Sequence, residues 1–94
     1  ADATEALQMG LVNHVTTTES LLERTKNILQ IIHTKAPIAI GKIIDCINTA
    51  ALNDGSGNGY EKEVKAFGDC FVTEDMKEGT TAFLEKRKPI FKGE

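Results

Sequence analysis

Apolar side chains recur at helical spacing in four successive short segments of this 94-residue chain, and almost nowhere at the two-residue spacing of a strand. Ala3, Ala6 and Leu7 share one helical face. Leu21, Leu22, Ile28, Leu29 and Ile32 share a second, with Thr25 on the same stripe. Ile40, Ile43, Ile44, Ile47 and Leu52 form a third, and Tyr60, Val64, Phe67 and Phe71 a fourth. Breakers separate these segments, so the pattern predicts a mainly α chain of four to five short helices. Stripes this broad on helices this short leave apolar surface exposed, which favours self-association.

Local signals set the expected boundaries. Gly10 falls where a left-handed cap would close the first helix. Leu11-Val12-Asn13-His14-Val15 is one short apolar run, a strand or an extended connector. As a strand it has no partner in this sequence. Ser20-Leu21-Leu22-Glu23 has the form of a capping box opening the second helix. That helix should end near Lys35-Ala36, because Pro37 disfavours helical angles in its predecessor, and Pro37 is well placed to open the third. The run from Asn53 to Gly59 reads as a loop, and a fourth helix is expected from Tyr60 to about Phe71. Thr73 can cap a short turn carrying Glu74 and Asp75. Gly79 is expected to interrupt it, leaving a last helix from about Thr80 to Arg87 that stops at Pro89 while Ile90 and Phe91 fold back.

Charge narrows the partners. The net charge is −3, yet the last nine residues carry four cations against one carboxylate, net +3, which leaves −6 on the first 85. An acidic body argues against general nucleic-acid binding, while the basic end leaves room for a local anion site. No apolar run approaches the roughly 20 residues that span a bilayer. The N-terminus shows neither the basic start nor the apolar stretch of a secretion signal. Two cysteines without a Cys-x-x-Cys pair fit a reducing, cytoplasmic setting rather than a disulfide scaffold or zinc site.

No catalytic constellation emerges from these residues. Gly55-Ser56-Gly57-Asn58-Gly59 lacks the preceding strand and the lysine that phosphate loops need. His14 and His33 have no carboxylate at ligand spacing, so no metal site is expected. Cys46 and Cys70 read as small buried hydrophobes. Glu74, Asp75 and Glu78 read as acids favoured by a helix N-terminus rather than as an acid/base pair. Lys86-Arg87-Lys88 is either a solvated helix end or a phosphate contact.

One longer pattern goes further. Glu74-Asp75-x-x-Glu78-Gly79-x-x-Ala82-Phe83-Leu84-Glu85-Lys86-Arg87-Lys88-Pro89-x-Phe91-x-Gly93 resembles the C-terminal signature of the enoyl-CoA hydratase/isomerase (crotonase) family. Glu5-Ala6-Leu7-x-x-Gly10-Leu11-Val12-Asn13-x-Val15 resembles the family's element just after its catalytic region. Ala36-Pro37-x-Ala39-x-x-x-Lys42 resembles its middle helix junction. The three blocks follow the family's order and cover essentially the whole chain.

The resemblance implies that residues 1–94 correspond to the C-terminal helical trimerisation region of the crotonase fold, four to five short helices with one short extended segment near the N-terminus. The family's N-terminal spiral, which holds the oxyanion-hole amides and the catalytic glutamates, has no counterpart here, so no residue is assigned an acid/base role. It implies hydration of 2-enoyl-CoA thioesters by the complete enzyme, a CoA thioester as substrate, no metal or other cofactor, and a homo-oligomer with trimer-type contacts. The family also contains isomerases, dehydratases, synthases and hydrolases, so the reaction stays open. Phe83 and Lys86 match the aromatic and basic residues of the last helix that touch the CoA of a neighbouring subunit; Phe83 as plain core and Lys86 as a solvated end remain the competing view. The alternative from another class is a helical self-association module without ligand.

Overall fold

The computed structural model describes residues 1–52 and 58–94. Five helices lie among them: α1 (Ala3–Gln8), α2 (Leu21–His33), α3 (Pro37–Ala51), α4 (Asn58–Cys70) and α5 (Glu74–Leu84). The chain divides into two compact units, Ala1–Gln30 and Ile31–Glu94.

In the first unit, α1 is closed at both ends by its own sequence. The Asp2 carboxylate accepts from the Glu5 amide at 2.8 Å, and the Asp2 amide donates to the Glu5 carboxylate at 2.9 Å, a reciprocal capping box. At the other end Gly10 takes φ +73°. This lets the Leu11 amide donate to the Ala6 carbonyl and the Gly10 amide to that of Leu7. Leu11–Val15 then runs as a connector, and no strand occurs among the described residues. The anticipated serine cap of α2 is displaced. Thr17 does the work instead, its hydroxyl accepting from the Ser20 amide at 3.3 Å and donating to the Ser20 hydroxyl. The turn it starts leads into α2, so the cap lies one turn earlier than the Ser-x-x-Glu spacing suggests.

The second unit begins in the last turn of α2. The helix ends at His33, two residues short of the expected stop, and the amides of Thr34 and Lys35 bond back three residues to Ile31 and Ile32. Pro37 opens α3 as its first residue. Helix α4 packs against α3 with opposite polarity. Lys42, early in α3, pairs with Asp69, late in α4, at 2.9 Å, while Lys62, early in α4, pairs with Asp45 at 3.0 Å and donates to the Thr49 hydroxyl at 2.7 Å. Asp69 also receives Lys65 from its own helix. Hydrogen bonds from Lys42 and then Lys65 hold the Asp69 carboxyl below its ordinary range and raise the Lys42 ammonium. Most of the expected glycine loop, residues 53–57, lies outside the described residues; Asn58 and Gly59, counted with it, are the first residues of α4.

Helix α5 departs most from expectation. Thr73 caps it, accepting from the Met76 amide at 3.1 Å, but Gly79 does not interrupt it. The helix runs on to Leu84 and stops through backbone geometry rather than at Pro89. Lys86 adopts φ 55°, its amide donates to the Phe83 carbonyl, and the Arg87 amide donates to that of Ala82 at 3.0 Å, a Schellman closure with lysine at the left-handed position. Residues 87–94 fold back onto α5. Gly79 is small for that reason: a Cβ there would lie 3.3 Å from the Phe91 ring.

No apolar core of ordinary size forms among the described residues. Ala82 is the fully buried apolar side chain and Asp75 the buried polar one. Ile43, Ile47, Val64 and Phe67 keep more than half their surface, and the α3 and α4 stripes line an open groove of about 650 Å³ that also holds Cys46 and Cys70. Both cysteines are half-buried, not enclosed as expected.

Candidate ligand-contact turn at the end of α5

The C-terminal ten residues are held by two carboxylates of α5. Asp75 accepts from the amides of Lys92 at 2.7 Å and Gly93 at 2.8 Å, and its own amide donates to the Glu94 carbonyl at 3.0 Å. Gly93 takes φ +80° near the start of α3, where a Cβ at this position would lie 3.5 Å from the Pro37 ring. One turn along α5, Glu78 receives the Arg87 guanidinium on both oxygens, at 2.6 and 2.9 Å, and the Ile90 amide at 2.8 Å. Arg87 also reaches Glu85 through Nε at 2.6 Å. A two-pronged guanidinium–carboxylate pair with a backbone donor added is a strong arrangement. It pulls the Glu78 carboxyl down to about 2, the Arg87 hydrogen bond being the larger cause and the Ile90 amide the second, and it raises Arg87 in turn.

The acidic cluster is therefore more than helix electrostatics. Asp75 and Glu78 are consumed in fixing the tail. Arg87, read from sequence as part of a free basic cluster, is engaged on three sides. What could have exposed this is the spacing itself: acids one turn apart on a helix, a glycine beside them, and an arginine and an aromatic returning after a stop.

Phe83 and Lys86, the residues singled out for CoA contact, lie in one turn. Phe83 is 83% exposed, which contradicts its reading as plain core within this chain. Lys86 is exposed and makes no ion pair or side-chain hydrogen bond among the described residues. Its left-handed backbone costs a non-glycine residue about 1 kcal/mol, and glycine would occupy the position freely. The structure thus brings an unpaired ammonium and an uncovered ring to the same end of the helix. That pairing suits a ligand carrying both an aromatic face and an anionic group.

Other sequence candidates do not converge on a site. His14 and His33 belong to different units, and among the described residues no group of three or more His, Cys, Asp or Glu could hold a metal ion. No described helix is long and apolar enough to cross a membrane.

A helical chain whose last helix ends in an exposed aromatic–lysine turn, strapped by its own tail, defines the class. Comparison with known proteins supplies the family. The pattern of the enoyl-CoA hydratase/isomerase family matches residues 1–94, and the chain belongs to that family. It is 43% identical over 94 residues to the crotonyl-CoA hydratase of Syntrophomonas wolfei, covering 96% of this chain and 34% of that protein. It is 42% identical over 87 residues to the short-chain-enoyl-CoA hydratase of Clostridium acetobutylicum, covering 92% and 33%. Among solved structures, an enoyl-CoA hydratase from Bacillus anthracis superimposes with a TM-score of 0.89 at 35% identity, over 98% of this chain and 35% of that one. The chain thus spans about a third of the length of the relatives it matches.

Proposed function

We propose that residues 1–94 are the C-terminal helical region of a CoA-thioester enzyme that hydrates 2-enoyl-CoA, contributing oligomer contacts and part of the CoA site. The complete enzyme would add water across the 2,3-double bond, with backbone amides stabilising the thioester enolate. Asp75 and Glu78 are committed to the tail. In this reading the catalytic acid and base belong to the part of the complete enzyme that corresponds to the family's N-terminal spiral, and residues 1–94 by themselves do not turn over substrate. Phe83 and Lys86 meet CoA bound to a neighbouring subunit, the ring against the adenine and the ammonium against a phosphate.

The observation that carries this reading is Lys86 itself. A lysine without an ion-pair partner among the described residues occupies a backbone position that glycine fills at lower cost, beside an uncovered phenylalanine. The hydratase names of the relatives support the substrate class. Calorimetric titration of CoA into the purified chain tests it. Saturable binding, weakened by Lys86→Ala and by Phe83→Ala, is expected, and no uptake at millimolar CoA overturns it.

The second reading, a helical self-association module without ligand, draws on the exposed faces of α3 and α4. Concentration-dependent association in sedimentation, abolished by Ile47→Glu, together with no CoA binding, would leave that reading alone.

A further inference from the structure

We infer that Glu78 and Arg87 are positioning residues for ligand contact: their two-pronged ion pair holds Lys86 in its left-handed conformation and so fixes the direction in which the Lys86 ammonium and the Phe83 ring are presented. The inference rests on the reading of that turn as a CoA contact. Its basis is geometric. Lys86 at φ 55° stands between two anchored points. Behind it, Phe83 and Ala82 belong to α5, and Ala82 is fully buried. Ahead of it, Arg87 donates its amide to Ala82 and its guanidinium to Glu78, nine residues earlier on the same helix.

The Glu78 carboxylate also takes the Ile90 amide, so a single side chain secures the chain on the far side of Lys86 at two places. A return of Lys86 to right-handed angles would swing Arg87 away from α5 and break both prongs. A non-glycine residue persists in a disfavoured conformation only where its surroundings over-determine it. Here the surroundings are Glu78 and Arg87. Neither needs to touch the ligand: four of the five Arg87 N–H donors already go to Glu78, Glu85 and the Lys88 carbonyl, and its charge is shared by two carboxylates, whereas the Lys86 ammonium has no such partner among the described residues.

Two readouts on the 94-residue chain test this, CoA affinity and amide hydrogen exchange. Glu78→Gln should raise the CoA Kd about fivefold or more. It should also speed exchange of the Arg87 and Ile90 amides about tenfold while leaving the amides of Ile47 in α3 and Phe67 in α4 within about twofold of their original rates. Adding Lys86→Gly to Glu78→Gln should restore much of the protection of the Arg87 amide, because glycine takes the left-handed angle without the steric cost that lysine bears. A merely structural role for Glu78 would not give that rescue. If Glu78→Gln also loses protection in α3 and α4, Arg87→Lys carries the same test, since it keeps the charge but not the planar fork. An unaltered chain that binds no CoA overturns the CoA reading and this inference together. A chain that binds CoA and keeps its affinity in Glu78→Gln, or whose Arg87 amide is not rescued by Lys86→Gly, overturns the inference alone.

Discussion

At the level of single residues, side chains that look interchangeable in the sequence do different work. Lys86, Arg87 and Lys88 form one basic run, yet Arg87 is locked to Glu78 and Glu85 while Lys86 makes no ion pair or side-chain hydrogen bond among the described residues. Lys86→Gly should therefore raise thermal stability by about 1 kcal/mol, by relieving the left-handed backbone, while weakening CoA binding. Calorimetric unfolding and titration on the same sample check both. A variant that loses stability would show that the lysine is not strained. Glu78 makes a second prediction. Its folded value is about 2 against an ordinary 4.5, so the proton binds the unfolded chain more readily. The stability it contributes is in full force above about pH 4.5 and is lost as pH falls toward 2. Asp69, held down by Lys42 and Lys65, acts in the same direction. Glu78→Gln should accordingly flatten, not abolish, the acid limb of a stability-versus-pH curve, and an unchanged limb would contradict the assignment.

Among the helices, the contrast is between ends that composition announces and ends that tertiary contact decides. Pro37 at the start of α3, Thr73 at the start of α5 and Gly10 after α1 act through local sterics and local hydrogen bonds, which is why they were legible. Gly79 misled because its meaning lies twelve residues away in the Phe91 ring. A glycine is ambiguous between a helix break and a close approach until its neighbour is known. Ser20 misled for a milder reason: Thr17 offers an equivalent hydroxyl one turn earlier. The tail clamp was invisible to periodicity, since hydrogen bonds from Lys92, Gly93 and Ile90 amides leave no pattern in side-chain hydropathy. Its energetics can be measured. Asp75→Ala strands two amide donors beside a buried position and should cost about 2 kcal/mol, read as a lower denaturant midpoint. It should also open cleavage by trypsin after Lys92, because Asp75 holds the amides of Lys92 and Gly93. Unchanged cleavage would mean that the tail is held by something other than Asp75.

For the molecule as a whole, the absence of an enclosed apolar core among the described residues is the dominant fact. Ile43, Ile47, Val64 and Phe67 present the surface that a small domain ordinarily buries. The sequence conveyed this through stripes too broad for helices so short, and it conveyed the family through three blocks in order, later matched by relatives of which the chain spans about a third. What it did not convey was how the last helix prepares Phe83 and Lys86, because that depends on a tail whose contacts run between residues 9 to 19 apart. A residue-resolved NMR titration of the isotope-labelled chain with CoA puts the whole account to trial. Saturable shift changes confined to the turn around residues 82–88, and lost in Lys86→Ala, are the predicted result. Shifts centred on the α3–α4 groove, or none at millimolar CoA, would contradict it.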